Sequence, residues 1–156
     1  MKIEGKAVCI GPDIDTDIII AGRYLRTKDR RIWSEHVLED LDPTLAPRLE
    51  GAVIVAGSNF GCGSSREQAP VALKEAGVRC IVAPSFARIF YRNAINIGLP
   101  LAECEVSCHD GDLVSADLEA GIVEVSGKQY RTRPLSPRML EILNAGGLVG
   151  LWKVKG

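Results

Sequence analysis

The chain has 156 residues, 46% hydrophobic and 25% charged, which fits one globular domain burying roughly two-thirds of the surface its unfolded form exposes. Nineteen Lys and Arg stand against twenty Asp and Glu, a net charge of -1, so neither the basic field of a nucleic-acid binder nor the acidic bias of a disordered tail is present. The opening lacks a basic region followed by an apolar run, and no window reaches the roughly 18 apolar residues of a membrane helix, so a cytoplasmic protein without membrane or nucleic-acid partners is expected.

In chain order, Lys2 to Ile10 alternates loosely and predicts a strand running into the loop at Gly11 and Pro12. Asp13, Asp15 and Asp17 place carboxylates at alternate positions but lack the glycine and terminal glutamate of a calcium loop, so turns and caps are the plainer reading. Arg23, Arg26 and Lys28 form either a carboxylate-binding set or a solvated basic face. Ile32, Trp33, Val37, Leu38 and Leu41 recur at helical spacing, which predicts a short helix within 29–41, closed by Asp42, Pro43 and Pro47.

Residues 51–57 form an apolar run bounded by glycines and predict a central strand buried on both faces. A helix over 71–76, a strand over 78–83 and a helix over 85–96 follow, the last ended by Gly98. In that helix Phe86, Ile89, Phe90 and Ala94 have core spacing, while Arg88 and Arg92 share the other side. Strand, helix, strand, helix predicts a parallel core with crossovers.

Beyond residue 110 the pattern becomes an antiparallel meander of strands at 113–118, 122–125 and 129–133. Ser136 then caps a final helix, with Pro137 at its first position and Gly146-Gly147 after it. Trp152, in an apolar tail, is either core or interface. The expected fold class is mixed α/β, one domain over residues 1–156.

Cysteines stand at 9, 62, 80, 104 and 108, an odd number without framework spacing, so no disulfide scaffold is expected. Cys104 and Cys108 are the only close pair. They read as small buried hydrophobes rather than half of a zinc site, and no metal is expected on this chain.

The richest stretch is Asn59-Phe-Gly-Cys-Gly-Ser-Ser-Arg-Glu67, lying between a buried strand and a helix, where open α/β sheets bind ligands. Ser64 and Glu67 have capping-box spacing, and exposed amides with Ser65 and Arg66 suit a carboxylate or phosphate. Either a separate turn at 64–67 with the helix starting at Pro70, or one continuous element, fits the sequence. A tight connection with no ligand explains the glycines Gly61 and Gly63 equally well. The loop matches neither a dinucleotide fingerprint nor a phosphate loop, and Cys62 has no neighbouring histidine to activate it as a nucleophile.

Four stretches together carry a resemblance: Asp13-Ile-Asp-Thr-Asp17, Gly22-Arg-Tyr-Leu25, the 59–67 loop and Ser85-Phe-Ala-Arg-Ile-Phe-Tyr-Arg-Asn-Ala-Ile-Asn96. They resemble the small subunit of 3-isopropylmalate dehydratase and the archaeal-type homoaconitases, over essentially the whole chain. The resemblance implies the swivelling β/β/α domain of the aconitase C-terminal type. It also implies a chain active only with a large subunit that holds a [4Fe-4S] cluster, so no cofactor is expected on this chain itself. Ser64 then matches the serine whose alkoxide removes a proton, and Ser65 and Arg66 match residues that hold substrate carboxylates. Asn59, Gly61, Gly63, Asp15, Asp17 and Arg88 are expected to support them.

Such a hydro-lyase would interconvert 2- and 3-isopropylmalate by dehydration and rehydration in leucine biosynthesis. In the family the loop after the Tyr-Leu pair approaches the variable group of the substrate, and here it reads Tyr24-Leu25-Arg26-Thr27. An arginine facing an isopropyl group lacks an anionic partner, whereas a third carboxylate would pair with it, so Arg26 and Thr27 favour a homoaconitase-type tricarboxylate. The commoner activity remains the leading expectation, and homo-oligomerisation of the isolated chain stays open. From another class, a non-catalytic carboxylate-binding or scaffold module would keep the anion loop without needing Ser64. A freestanding serine hydrolase lacks its Gly-x-Ser-x-Gly elbow.

Overall fold

The computed structural model describes residues 1–155. Seven strands form one sheet in the order β4-β3-β2-β1-β5-β6-β7. These are β1 (Lys2–Cys9), β2 (Val53–Val55), β3 (Cys80–Ala83), β4 (Leu101–Glu103), β5 (Leu113–Asp117), β6 (Ile122–Val125) and β7 (Lys128–Arg131). The helices are α1 (Thr16–Ile19), α2 (Arg30–Glu35), α3 (Gln68–Glu75), α4 (Arg88–Asn96), α5 (Pro137–Asn144) and α6 (Leu148–Lys155).

β1 belongs to both halves of the sheet. Its first part, Lys2 to Lys6, pairs antiparallel with β5, and its last part, Ala7 to Cys9, pairs parallel with β2. β2, β3 and β4 continue in parallel, joined by crossovers through α3 and α4, while β5, β6 and β7 form the antiparallel meander. A strand buried on both faces must be apolar at every position, and all of β2 and β3 is buried. Successive side chains point to opposite faces. Ile54 and Ile81 therefore join the core under α1, α2 and α3, and Val53, Val55 and Val82 join the one shared with the meander, α5 and α6. Each such side chain contributes about 1.5–3 kcal/mol of burial free energy.

Several elements depart from the sequence expectation. The pattern over 29–41 gives a helix only over Arg30–Glu35, because Leu38 takes φ 60 and turns the chain so that its N–H donates to Ile19 O at 2.8 Å. Val37 and Leu38 are nevertheless fully buried. Pro70 lies inside α3 at its third position, where a missing N–H costs nothing, so the helix starts two residues before it. Ile89 is 50% exposed, since α4 begins only at Arg88; Ile95 takes the core place beside Phe90 and Ala94. β4, of three residues, and α1, of four, carry too short a pattern to read. The Ser136 cap holds, its hydroxyl accepting from Met139 N at 3.2 Å. Trp152 is 60% exposed on α6, outside the core. Among the described residues no helix is long and apolar enough to cross a membrane.

Candidate active site at the carboxyl ends of the parallel strands

Past the ends of β1, β2 and β3 the chain continues as three segments side by side. Gly61 N donates to Ile14 O and Thr16 N to Cys62 O, both at 2.8 Å, while Phe60 N donates to Ser85 O at 3.1 Å and Ala87 N to Phe60 O at 2.9 Å. The acidic segment, the glycine loop and the start of α4 are thereby fixed at one edge of the sheet. Between the loop and the first turn of α4 lies a cleft of about 210 Å³, lined among others by Gly61, Gly63, Ser64, Ser65, Arg66 and Arg88.

Two glycines make this shape obligatory. Gly61 has φ 82, and a Cβ there would strike the Phe90 ring; Gly63 has φ 93, and a Cβ there would strike the Asp15 carboxylate. Phe90 packs edge-on to Phe60 with ring centroids 5.2 Å apart, so the loop is seated on an aromatic floor. Asn59 turns the loop at φ 62, its amide group donating to Asp13 Oδ1 at 3.0 Å and its backbone N–H to Ser85 Oγ at 2.8 Å.

The cleft is electropositive. Gly63, Ser64 and Ser65 have backbone N–H groups with no acceptor among the described residues. α4 has no side-chain N-cap, and its first backbone bond runs from Tyr91 N to Ala87 O, so the amides of its opening turn also face the cleft at the positive end of the helix. Arg66 Nε lies 2.7 Å from Asp17 Oδ1, its Nη1 donates to Ile20 O at 3.3 Å, and Nη2 carries no hydrogen bond among the described residues. The exposed Ser64 hydroxyl donates to Asp17 Oδ1 at 3.4 Å and lies 3.5 Å from Thr16 Oγ1. Such donors are suited to an anion with two or more oxygens.

Asp15 and Asp17 have distinct tasks. Asp15 caps α1, accepting from Asp17 N at 2.7 Å, as the turn-and-cap reading expects. Asp17 faces Arg66 and Ser64. The capping box between Ser64 and Glu67 does not form, because Ser64 turns to α1 and Glu67 makes no side-chain cap. Burial, with the charges of Asp15 and Asp13, pushes the Cys62 thiol up, which leaves it protonated at neutral pH. Cys104 donates to Arg131 O at 3.4 Å, away from Cys108, and among the described residues no three His, Cys, Asp or Glu converge as a metal site.

Arg26 and Thr27 are not among the cleft's lining residues. Arg26 is exposed and without a hydrogen-bond partner among the described residues, and Thr27 Oγ1 accepts from Asp29 N at 3.1 Å in the turn that opens α2. Their segment is tied down by neighbours: Tyr24 stacks on His36 with centroids 4.1 Å apart and donates to Glu39 Oε2 at 2.8 Å, and Arg23 pairs with Asp40 at 2.7 Å. Sequence reasoning missed Thr16 and Asn93. Thr16 is 2% exposed and its hydroxyl donates to Ser64 O at 2.8 Å, and Asn93 lines the cleft one turn beyond Ile89. The signal for Thr16 was a lone hydroxyl among three aspartates.

Residues 22–103 match the aconitase C-terminal domain family, more than half of the chain. The chain belongs to that family. It is 55% identical over 150 residues to the methanogen homoaconitase small subunit of Methanothermobacter thermautotrophicus, covering 94% of this chain and 88% of that one. It is 52% identical to the 3-isopropylmalate dehydratase small subunit 1 of Methanopyrus kandleri, covering 99% and 94%. The crystal structure of a 3-isopropylmalate dehydratase from Methanocaldococcus jannaschii superposes with a TM-score of 0.93 at 45% identity, over 99% of this chain and 95% of that chain. The fold is thus the mixed α/β swivelling domain of the aconitase C-terminal domain family, and its matched segment includes the glycine loop and α4, which line the cleft.

Proposed function

We propose that this chain is the small subunit of a two-subunit hydro-lyase of the 3-isopropylmalate dehydratase type, contributing its cleft to a site closed by a large subunit. The observation that carries the reading is the convergence of the Ser64 hydroxyl, the free amides of Gly63 to Ser65 and Arg66 on one cleft. Dehydrating a 2-hydroxy acid demands a base for a weakly acidic carbon-bound proton and cations or amides clamping the carboxylates. Hydroxyls, amides and guanidinium groups meet the second demand and offer no thiolate set for an iron–sulfur cluster. The [4Fe-4S] cluster is assigned to the large subunit, where it supplies Lewis-acid activation of the departing hydroxyl.

In this reading Arg66 Nη2, Ser65 and the loop amides receive a substrate carboxylate, and Ser64 removes the carbon-bound proton. A serine hydroxyl is a weak base in water, so its deprotonated form needs the amide dipoles and a site shut from solvent. Asp17 holds Arg66 in place, and the guanidinium offsets the carboxylate's charge beside Ser64. A second reading, a tricarboxylate of the homoaconitate kind, is favoured by Arg26, an exposed and unpaired cation, and by the 55% identity to a homoaconitase small subunit.

The test is hydratase activity of the purified chain mixed with its anaerobically reconstituted large subunit, across maleate, citraconate, isopropylmaleate and homoaconitate. Turnover only in the mixture, lost by several orders of magnitude in Ser64→Ala while the complex still assembles, is expected. Activity of this chain alone, or full activity of Ser64→Ala, would overturn it, the latter in favour of a carboxylate-binding module.

A further inference from the structure

Cys9 ends β1, and Cys108 lies 99 positions further along the chain in the connection between β4 and β5. The turn that follows Cys108 folds back on β1. Gly111 N donates to Ala7 O at 2.8 Å, Ala7 N to Asp112 O at 2.7 Å, and Cys9 N to Asp110 Oδ1 at 2.9 Å. Arg48 pairs with Asp110 from the other side, so the turn is held at both ends. Both cysteines are half-buried against the same apolar core, the one shared by Ala7 and Val114. Cys9 Sγ donates to Cys108 O at 3.7 Å and Cys108 Sγ donates to His109 O at 3.5 Å, so the two cysteines lie side by side where β1 meets the 108–112 turn. The other cysteines have no thiol neighbour among the described residues: Cys80 is enclosed, Cys104 donates to Arg131 O, and Cys62 faces Asp15 and Asp13.

We propose that Cys9 and Cys108 are an oxidisable dithiol pair, converted to an intramolecular disulfide by a low-molecular-weight disulfide. The Cys9 thiolate attacks one sulfur of the oxidant, forming a mixed disulfide and releasing one thiolate. The Cys108 thiolate then attacks Cys9 Sγ, forming the Cys9–Cys108 bond and expelling the second thiolate. The two protons lost by the protein end on the released thiolates, so one disulfide is reduced for each one formed.

The surroundings set the rate. Burial, contact with Cys9 and the charges of Asp112 and Asp110 push Cys108 up to about 12, and burial raises Cys9 as well. Because only the thiolate attacks, exchange is slow at neutral pH and speeds up as pH rises. The pair therefore responds to sustained oxidation and ignores brief exposure. Once formed, the bond closes a long loop and fastens the base of the segment bearing Asp15 and Asp17 to the 108–112 turn.

The test uses the full chain carrying Cys62→Ser, incubated natively with oxidised glutathione at pH 7 and pH 9, then digested without reduction for mass spectrometry. The expected result is a Cys9–Cys108 peptide lacking two hydrogens, formed at least about tenfold faster at the higher pH. The melting temperature should rise by roughly 5–15 °C and return on reduction. Cys9→Ser and Cys108→Ser, each removing one of the two sulfurs, should abolish the linked peptide and the rise together. Glutathione adducts that persist without the link, pairing that involves Cys104, or linkage seen only in denaturant would each overturn the proposal.

Discussion

Asp17 and Arg66, 49 positions apart in the chain, meet with Oδ1 of the first 2.7 Å from Nε of the second, and the same Asp17 oxygen accepts from Ser64 Oγ at 3.4 Å. The guanidinium therefore enters the cleft already oriented by the first turn of α1, with Nη2 left for a ligand. Under the proposed function Asp17 would be a positioning residue, acting through Arg66 and the Ser64 hydroxyl.

Asp17→Asn should lower kcat/KM of the assembled enzyme about 10- to 100-fold, the worth of one hydrogen bond to a charged group. The loss should fall mainly on KM, with assembly unchanged by size-exclusion chromatography. Unaltered kinetics would remove Asp17 from the site.

Gly61→Ala should destabilise the chain by roughly 2–5 kcal/mol, from a Cβ driven into the Phe90 ring at a left-handed backbone position. Gly11→Ala is the control, since nothing lies within 4 Å of its added Cβ, and it should change stability by less than about 1 kcal/mol. Urea midpoints of the two variants compare them directly.

Thr16→Val should cost about 1 kcal/mol by removing the hydroxyl bond to Ser64 O, which keeps its bond from Arg66 N. Thr16→Ser should restore most of that stability. The same pair separates packing from positioning: if Ser64 depends on Thr16, kcat follows the hydroxyl and not the methyl.

Acid should weaken the fold through its carboxylates. The Tyr24 hydroxyl, with His36, holds Glu39 below the ordinary carboxylate range; Arg23 does so for Asp40, and the Cys9 N–H, with Arg48, does so for Asp110. With folded values depressed, the unfolded chain binds more protons in acid. The stabilisation is complete above the usual carboxylate range and drains away as pH falls through the lowered values, so urea midpoints should be flat from pH 7 to about 5 and drop below about 4. Asp40→Asn should make that drop shallower.

Arg26→Val should shift the kcat/KM ratio toward the isopropyl acid and against the tricarboxylate by at least about tenfold if Arg26 reads the third carboxylate. A ratio left unchanged would exclude Arg26 from the substrate's surroundings.

Much of this architecture was legible because it follows strong patterns. The unbroken apolar runs around Ile54 and Ile81 announced strands buried on both faces, and the Ser136-Pro137 pair announced α5. Ser64, Ser65 and Arg66 lie in one uninterrupted loop, so their joint presence in the cleft needed no tertiary information. What escaped depends on contacts between distant segments. Glu67 was expected to cap beside Ser64, yet the serine is drawn away by Asp17, a partner that spacing within the loop cannot reveal. Ile89 had the period of a core residue in a helix starting at Ser85, but α4 starts three residues later, at Arg88, and the Ile89 side chain lies half exposed at the cleft.

The double allegiance of β1 bears on how this domain moves. The meander holds its first part, Lys2 to Lys6, and the parallel strands hold its last part, Ala7 to Cys9, so the amides of β1 should exchange slowly with solvent along its whole length. The acidic segment grows out of that strand and is laced to the glycine loop by backbone bonds within a few residues of Cys9. The cleft residues are thus tied by backbone bonds to the segment that continues β1. Under the proposed function, a substrate would then be admitted and released by displacement of the whole domain against the large subunit, with the cleft carried along as a solid piece.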